Sequence, residues 1–338
     1  MIVRIISFTD RGRAVSRTLA DSLTDHVVQQ YARADGFLPY VSVRAFAEEA
    51  MAQADLLVFV GAAGIAVRAI APFVRSKDED PAVLVIDENG RFVISLLSGH
   101  IGGANAWAQR LAQTLQAVPV ITTATDGRGI FAVDSWAVQH HCSVEDIREI
   151  KYISGALLRG ERVGLRSDFP ISGTLPDGVQ VNTPQDNGIL LSIHEPEQVP
   201  FVHTVQIVPR IVHVGVGCKK QTEPRALQSW ADGILQELHI APQAVASVSS
   251  IDLKREEPAV LELAQAWRVP AQFYSAQELE QVAGDFPPSA FVRKITGTDN
   301  VCQRAAAKAS ENGRCLLAKT AKDGMTISIY EKEWRAEF

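Results

Sequence analysis

Short apolar runs alternate with helix-length amphipathic segments in two separate blocks of this chain, and that alternation constrains its fold more than any other feature. In the first block, residues 2–6, 56–60, 83–87, 92–97 and 118–122 have the length and chemistry of buried strands. Between them, residues 13–23, 43–50, 65–73 and 104–115 place apolar side chains at helical spacing. Strands separated by helices pair in parallel beneath helical layers. Asp87-Glu-Asn-Gly90 lies between two of the runs and carries an Asn-Gly turn signal, so one antiparallel hairpin is expected within the sheet. The alternation restarts at Ile211, with strands at 211–216, 245–250, 272–274, 315–318 and 325–329 and helices at 222–238, 256–267, 277–282 and 299–309. The intervening stretch is patterned differently. Residues 133–141 and 144–158 read as helical and are followed by 162–165, then 168–187 reads as turn-rich and 196–201 as a linker. The expected fold class is therefore α/β. Two layered α/β domains with mostly parallel sheets, residues 1–130 and 206–338, are joined by a small α+β middle segment, residues 131–205.

The 338 residues carry a net charge of −6, which argues against a broad nucleic-acid footprint, since that would need a basic face. A local basic pocket for an acidic small molecule is compatible with that balance, because a few residues set it. The most apolar run, residues 56–67, contains Gly61 and Gly64 and stops at Arg68, well short of the ~20 residues that span a bilayer. Met1-Ile-Val-Arg-Ile-Ile-Ser reads as a first buried strand and lacks the order of a signal peptide. Cys142, Cys218, Cys302 and Cys315 form no CxxC pair, so neither a zinc knuckle nor a disulfide framework is indicated. The expectation is a cytoplasmic protein without membrane or nucleic-acid partners.

Ser95-Leu-Leu-Ser-Gly-His-Ile-Gly-Gly-Ala-Asn105 joins a buried strand to a helix start through a histidine and three glycines. Gly99, Gly102 and Gly103 let backbone amides face a ligand, and the helix offers unpaired N–H groups to an anion. His100 stands where an acid, a base or a metal ligand would act. A tight turn with a solvent-facing histidine would use the same residues. Phe59-Val-Gly-Ala-Ala-Gly-Ile-Ala-Val-Arg68 is a second strand–turn–helix unit. Gly61 and Gly64 either admit a ligand at a strand's carboxyl end or serve close packing, and Arg68 either reaches a carboxylate or is a surface residue. Arg75 and Lys77, in the charged loop before Pro81, read as solvated. Thr122-Thr-Ala-Thr-Asp126 ends a strand in hydroxyls and a carboxylate, so Thr123 and Asp126 are ligand-edge candidates, with a capped turn as the alternative.

In the second block, Val214-Gly-Val-Gly-Cys-Lys-Lys220 ends a strand at Gly215 and Gly217 and follows with Cys218 and Lys219. A phosphate- or carboxylate-binding loop fits this pattern, whereas the Walker A spacing is absent. Asp252 and Lys254 end the next strand, and Thr298 or Asp299 reads as a helix cap. His140 and His141 point to different faces of a helix and make a poor metal pair. No Ser–His–Asp, HExxH or GxGxxG signature is present, which argues against a nucleotide-dependent oxidoreductase. The residues alone imply two α/β domains holding an anionic small molecule.

The set and order of these motifs resemble the cobalt-precorrin-5A hydrolase (CbiG) family of anaerobic cobalamin synthesis. The matching runs are Gly61 to Arg68, Asp80-Pro-Ala-Val, Ile94 to Asn105, Pro119 to Asp126, Val214 to Lys219, Ser250 to Lys254 and Gly297-Thr-Asp-Asn-Val-Cys302. Gln221 departs from the family pattern, where a glycine often follows the basic pair. The resemblance implies a hydrolytic ring contraction, in which water opens the δ-lactone of a cobalt-bound tetrapyrrole and a two-carbon fragment leaves as acetaldehyde. It makes His100 the base or acid candidate, Gly102 and Gly103 oxyanion donors, and Ser98 and Asn105 supporting groups. It makes Gly61, Gly64, Arg68, Gly99, Thr123, Asp126, Gly215, Gly217, Cys218, Lys219, Asp252 and Lys254 substrate contacts, with Arg68, Lys219 and Lys254 as carboxylate partners. The cobalt arrives in the substrate, so no protein-bound metal or other cofactor is implied. A site between the two α/β domains is expected. Transient contact with corrin-pathway methyltransferases is also expected, and a non-catalytic carrier of tetrapyrrole intermediates for them is the alternative function.

Overall fold

In the computed structural model, residues 1–76, 79–123, 130–288 and 290–338 are described. They divide into one unit of Met1–Gln139 with Leu157–Arg159 and a second of His140–Ala156 with Gly160–Phe338. The first unit is built on strands β1 (Ile2–Ser7), β2 (Val27–Tyr31), β3 (Leu56–Val60), β4 (Ala82–Ile86), β5 (Phe92–Leu97) and β6 (Val118–Val120), in the sheet order β2-β1-β3-β4-β5-β6. The first four strands are parallel. The expected hairpin then reverses the chain, so β5 runs against β4 and β6 runs with β5. Asp87 fixes that turn by accepting from the amides of Arg91 and Phe92 at 2.7 Å each, and Gly90 supplies the left-handed residue at φ +67°.

Alternation sorts the side chains of each strand between two helical layers. Val3, Ile5, Val58, Leu84 and Val93 face helices α1 (Asp10–Ser22) and α4 (Ala104–Leu115). Ile6, Leu57, Phe59, Val83 and Val85 face α2 (Val43–Gln53) and α3 (Ala63–Ile70). Strand β2 lacks the apolar run that marks the other strands, because Val27-Val-Gln-Gln-Tyr is largely polar. Its glutamines face buried polar groups: Arg4 Nε donates to Gln29 at 2.9 Å and Ser16 Oγ to Gln30 at 2.9 Å.

The second unit contains two five-stranded sheets. One has the order β10-β8-β11-β12-β7, from β7 (Cys142–Glu145), β8 (Val163–Ser167), β10 (Val179–Val181), β11 (Asn187–Leu191) and β12 (His203–Pro209). Residues 144–158, expected to be one helix, instead give β7 and then helix α6 (Ile150–Leu158), after α5 (Val133–Gln139). Pairing of Ser143 and Val144 with Val208 and Ile207 outweighs local helix propensity there. Strand β12 crosses the boundary drawn at residue 205, and the stretch 196–201 ends in an anchor rather than a linker. The Phe201 ring fills the space over Gly164 and Gly188, where added Cβ atoms would come within 2.3 and 2.2 Å of it. A two-residue strand, β9 (Ile171–Ser172), pairs with β18 (Ala336–Glu337).

The other sheet has the order β15-β14-β13-β17-β16, from β13 (Val212–Cys218), β14 (Val245–Ile251), β15 (Ala271–Tyr274), β16 (Arg314–Lys322) and β17 (Met325–Glu331). Strands β13 to β15 are parallel, and β17 runs against both β13 and β16. Helices α7 (Pro224–Glu237) and α8 (Pro258–Ala266) cover one face through Leu227, Ala231, Val260 and Leu263. Helices α9 (Ala276–Glu280), α10 (Ala290–Thr296) and α11 (Val301–Ala309) follow β15. No helix among the described residues is long and apolar enough to cross a membrane.

His213 is buried in β13, its Nδ1 2.8 Å from Ser247 Oγ. Burial, aided by Lys332, pushes its pKa down from 6.5 to about 4, so the fold holds the neutral ring. As pH falls below 6.5 the unfolded chain takes up a proton that the folded site refuses. Stability is therefore lost between the ordinary value and about pH 4, by roughly 3 kcal/mol at most. Urea midpoints measured across that window should fall more steeply for the wild type than for His213→Gln. Parallel curves would contradict this.

Candidate functional site

Because β5 opposes β4, Leu97 at its end lies beside Val83 at the start of β4. The loop carrying His100 therefore hangs from the edge where β3 and β4 begin. It is a tightly wound coil. Ser98 is left-handed at φ +56°, and its carbonyl accepts from Ala104 at 3.1 Å. The carbonyls of Gly99 and His100 accept from the amides of Asn105 and Gly103 at 2.9 Å each. A Cβ on Gly102 would lie 2.4 Å from Ser98 Cβ, and one on Gly99 would lie 2.8 Å from Asn105 Oδ1. Gly103, at φ +80°, forms the entry to α4.

These bonds correct one expectation. The amide of Gly103 is engaged by the His100 carbonyl and is not aimed at a ligand. The Gly102 amide makes no such bond among the described residues.

The His100 ring is held from another element. Its Nδ1 lies 2.9 Å from Oδ1 of Asp134, in the first turn of α5, with side chains only 15% and 8% exposed. Asn105 is buried and donates from Nδ2 to Thr123 Oγ1 at 3.2 Å. Ser98 Oγ is buried without a hydrogen-bond partner among the described residues. Ser98, Gly99, His100, Gly102, Gly103, Asn105 and Thr123 thus gather at one sheet edge. Asp126 and Lys77 lie outside the described residues. Asp134 escaped the sequence reading because 34 residues separate it from His100. Its one signal is a carboxylate set among the buried Val133, Trp136 and Ala137 of the same helix.

A groove of about 580 Å³ runs beside this loop. Ile101, Trp107, Arg110 and Val138 line one part of it, and Asp55 and Asp80 another. The Arg110 guanidinium lies over the Trp107 ring at 4.9 Å and is 48% exposed. Asp80 accepts from the Arg75 amide at 3.1 Å with both oxygens, and Asp55 from the Ile2 amide at 2.7 Å.

The second glycine turn occupies the opposite edge. The Gly61 amide donates to the Ile86 carbonyl at 2.8 Å, and a Cβ there would meet the Phe8 ring at 2.8 Å. The exposed Arg68 folds back over Gly64, its guanidinium 3.5 Å from the place a Cβ would take. Five-residue strands such as β3 set the two edges roughly 16 Å apart, so these motifs do not form one site.

In the second unit the candidates also separate by role. Gly215 is a packing position, where a Cβ would fall 1.8 Å from the Cys302 carbonyl oxygen on α11. A Cβ on Gly217 would fall 2.6 Å from Thr326 Oγ1. Cys218, Lys219, Asp252 and Lys254 do share the carboxyl edge of β13 and β14. Burial pushes the Cys218 thiol up, against the opposing pull of Lys254. Lys254 is committed to Glu257 at 2.8 Å in a largely buried pair, and Glu257 also accepts from the Gln221 amide at 3.2 Å. Lys219 is exposed. Among the described residues no cluster of three or more His, Cys, Asp and Glu is arranged to hold a metal ion.

Comparison with known proteins agrees with the order of these motifs. Residues 45–126 match the family described as cobalamin synthesis G N-terminal, and residues 212–330 match cobalamin synthesis G C-terminus. The cobalt-precorrin-5A hydrolase of Salmonella typhimurium is 36% identical over 341 residues, 97% of each chain. That of Priestia megaterium is 30% identical over 290 residues, 81% of this chain and 77% of its own. Among solved structures, a cobalamin biosynthesis protein G homolog from Sulfolobus solfataricus aligns over 98% of this chain and 97% of its own, at 23% identity and a TM-score of 0.43.

The glycines of the His100 loop differ in what they tolerate. Gly102→Ala forces Ser98 to move and should cost roughly 1–3 kcal/mol. Gly103→Ala meets nothing closer than Trp107 at 3.8 Å and should cost only the left-handed backbone strain, on the order of 1 kcal/mol. Thermal melts of the two variants check the order, and an equal or reversed ranking would contradict the described packing.

Proposed function

The chain belongs to the cobalamin synthesis G family, and we propose on that premise that it is a cobalt-precorrin-5A hydrolase. Kinship along the whole length carries this reading, since 36% identity extends over 97% of both this chain and its Salmonella relative. The reaction adds water to the δ-lactone carbonyl and breaks the acyl C–O bond, leaving a carboxylate and a hydroxyl. That hydroxyl becomes an aldehyde as its carbon separates from the macrocycle, and the two-carbon unit leaves as acetaldehyde. The bonding pair stays with the macrocycle, which takes up a proton. The product is cobalt-precorrin-5B.

Each demand of that chemistry has a candidate at the edge that carries His100. The water needs a base, assigned to His100, which is largely buried and held by a carboxylate. The developing oxyanion needs donors in place beforehand, assigned to the Gly102 amide with Ser98 and Asn105 in support. The substrate's carboxylates need cations, and Arg110, half-exposed in the adjoining groove and paired with the exposed Asp25 only at 3.8 Å, supplies one. Glycine packing and three backbone hydrogen bonds wind the loop tightly, which suits a site that must hold its geometry. The cobalt belongs to the substrate, and hydrolysis asks for no resident cofactor. Work in the cytoplasm and transient hand-over to corrin-pathway methyltransferases are part of the same proposal.

The test is anaerobic incubation of cobalt-precorrin-5A with the purified protein in ¹⁸O-water. Equimolar acetaldehyde should appear, with the label in the new carboxylate, whose oxygens do not exchange with solvent. Tight binding of the substrate without acetaldehyde would overturn the hydrolase in favour of a carrier.

A further inference from the structure

We propose that Asp134 is a positioning residue for this hydrolysis, accepting the Nδ1–H of His100 and so holding the ring in the tautomer whose Nε2 can take a proton from water. The inference rests on the assignment of His100 as the base, and it adds the residue that makes a base of that ring.

A neutral imidazole carries its proton on either nitrogen, and the partner of one nitrogen decides the state of the other. Oδ1 of Asp134 lies 2.9 Å from Nδ1. A carboxylate there has no proton to give, so the bond requires the proton on Nδ1. Nε2 is then the basic atom.

The carboxylate is itself anchored. Its Oδ1 also accepts from the Ser135 amide at 3.0 Å, and the residue is buried, as are Val133, Trp136 and Ala137 of the same helix. His100 is anchored independently, because its carbonyl accepts from Gly103 at 2.9 Å. Ring and carboxylate thus meet from two separately fixed backbones, the loop after β5 and the first turn of α5. Burying a carboxylate is costly unless it is bonded, so Asp134 at this position calls for the contact it makes.

During lactone opening the water proton passes to Nε2 as the water oxygen bonds to the carbonyl carbon. The imidazolium that results faces the Asp134 carboxylate, which stabilises the charge without taking the proton. The ring then returns the proton to the lactone oxygen as the C–O bond breaks.

The test combines ¹⁵N spectra of histidine-labelled protein with kinetics of Asp134→Asn and His100→Ala. In the wild type the neutral His100 ring should show a protonated Nδ1 and an unprotonated Nε2. Asparagine can keep an oxygen where Oδ1 meets both the Ser135 amide and Nδ1, but it is uncharged, so Asp134→Asn removes the charge that stabilises the imidazolium. The substitution should lower kcat by on the order of 10²–10⁴, with KM changed less than about threefold. A wild-type ring protonated on Nε2 would overturn the proposal without recourse to any variant that fails to fold. So would an Asp134→Asn enzyme of near-normal kcat when His100→Ala is inactive, and that result would leave His100 as the base. Normal turnover by His100→Ala would remove the base assignment and this inference with it, leaving the hydrolase reading to the acetaldehyde assay.

Discussion

Strand β5 runs against β4, and every candidate catalytic group of the first unit depends on that reversal. Had β5 continued in parallel, its loop would lie at the carboxyl edge with Gly61 and Arg68, where open α/β sheets bind ligands. The Asp87 turn sends it to the other edge instead, above the starts of β3 and β4. Strand β6 runs with β5, so Thr123 arrives at the same place and receives Asn105. Helix α5 brings Asp134 to His100. One carboxylate holding two amides at 2.7 Å therefore fixes where the His100 loop lies as well as the hairpin.

Close approach of backbones is the second constraint. Glycines in this chain read alike in sequence, yet the structure gives them different work. Gly102 makes room for Ser98, Gly215 for the Cys302 carbonyl, and Gly164 and Gly188 for the Phe201 ring. Packing alone accounts for Gly215, while the same crowding at Gly102 winds a loop that presents a histidine. What separates the two is the chemistry next door: His100 with a buried carboxylate in one case, the close-packed face of α11 in the other.

Much of this was legible in the sequence. The buried strands β3 and β4, the Asn-Gly hairpin and the helix of residues 104–115 announce themselves through period and turn chemistry. What sequence could not reveal depends on distant partners. Val27-Val-Gln-Gln-Tyr becomes a strand because Arg4 and Ser16 need its glutamines, and Cys142–Glu145 becomes one because β12 offers an open edge. The site shows the same limit. Ser98, His100, Asn105 and Thr123 were visible as motif residues, but the partition of Arg68 to the far edge follows only from strand direction. Lys254 looked like an open cation until Glu257, three residues on, proved to be its partner. Asp134 had no local motif at all.

The central claim is that the chemistry resides at the edge carrying His100 and not at the edge carrying Arg68. Single-turnover acetaldehyde release by His100→Gln and Arg68→Ala, measured at saturating cobalt-precorrin-5A, tests it most directly. The account predicts that His100→Gln loses the release and that Arg68→Ala retains its rate within a few-fold. Loss in Arg68→Ala with an active His100→Gln would place the reaction at the opposite edge and contradict the account.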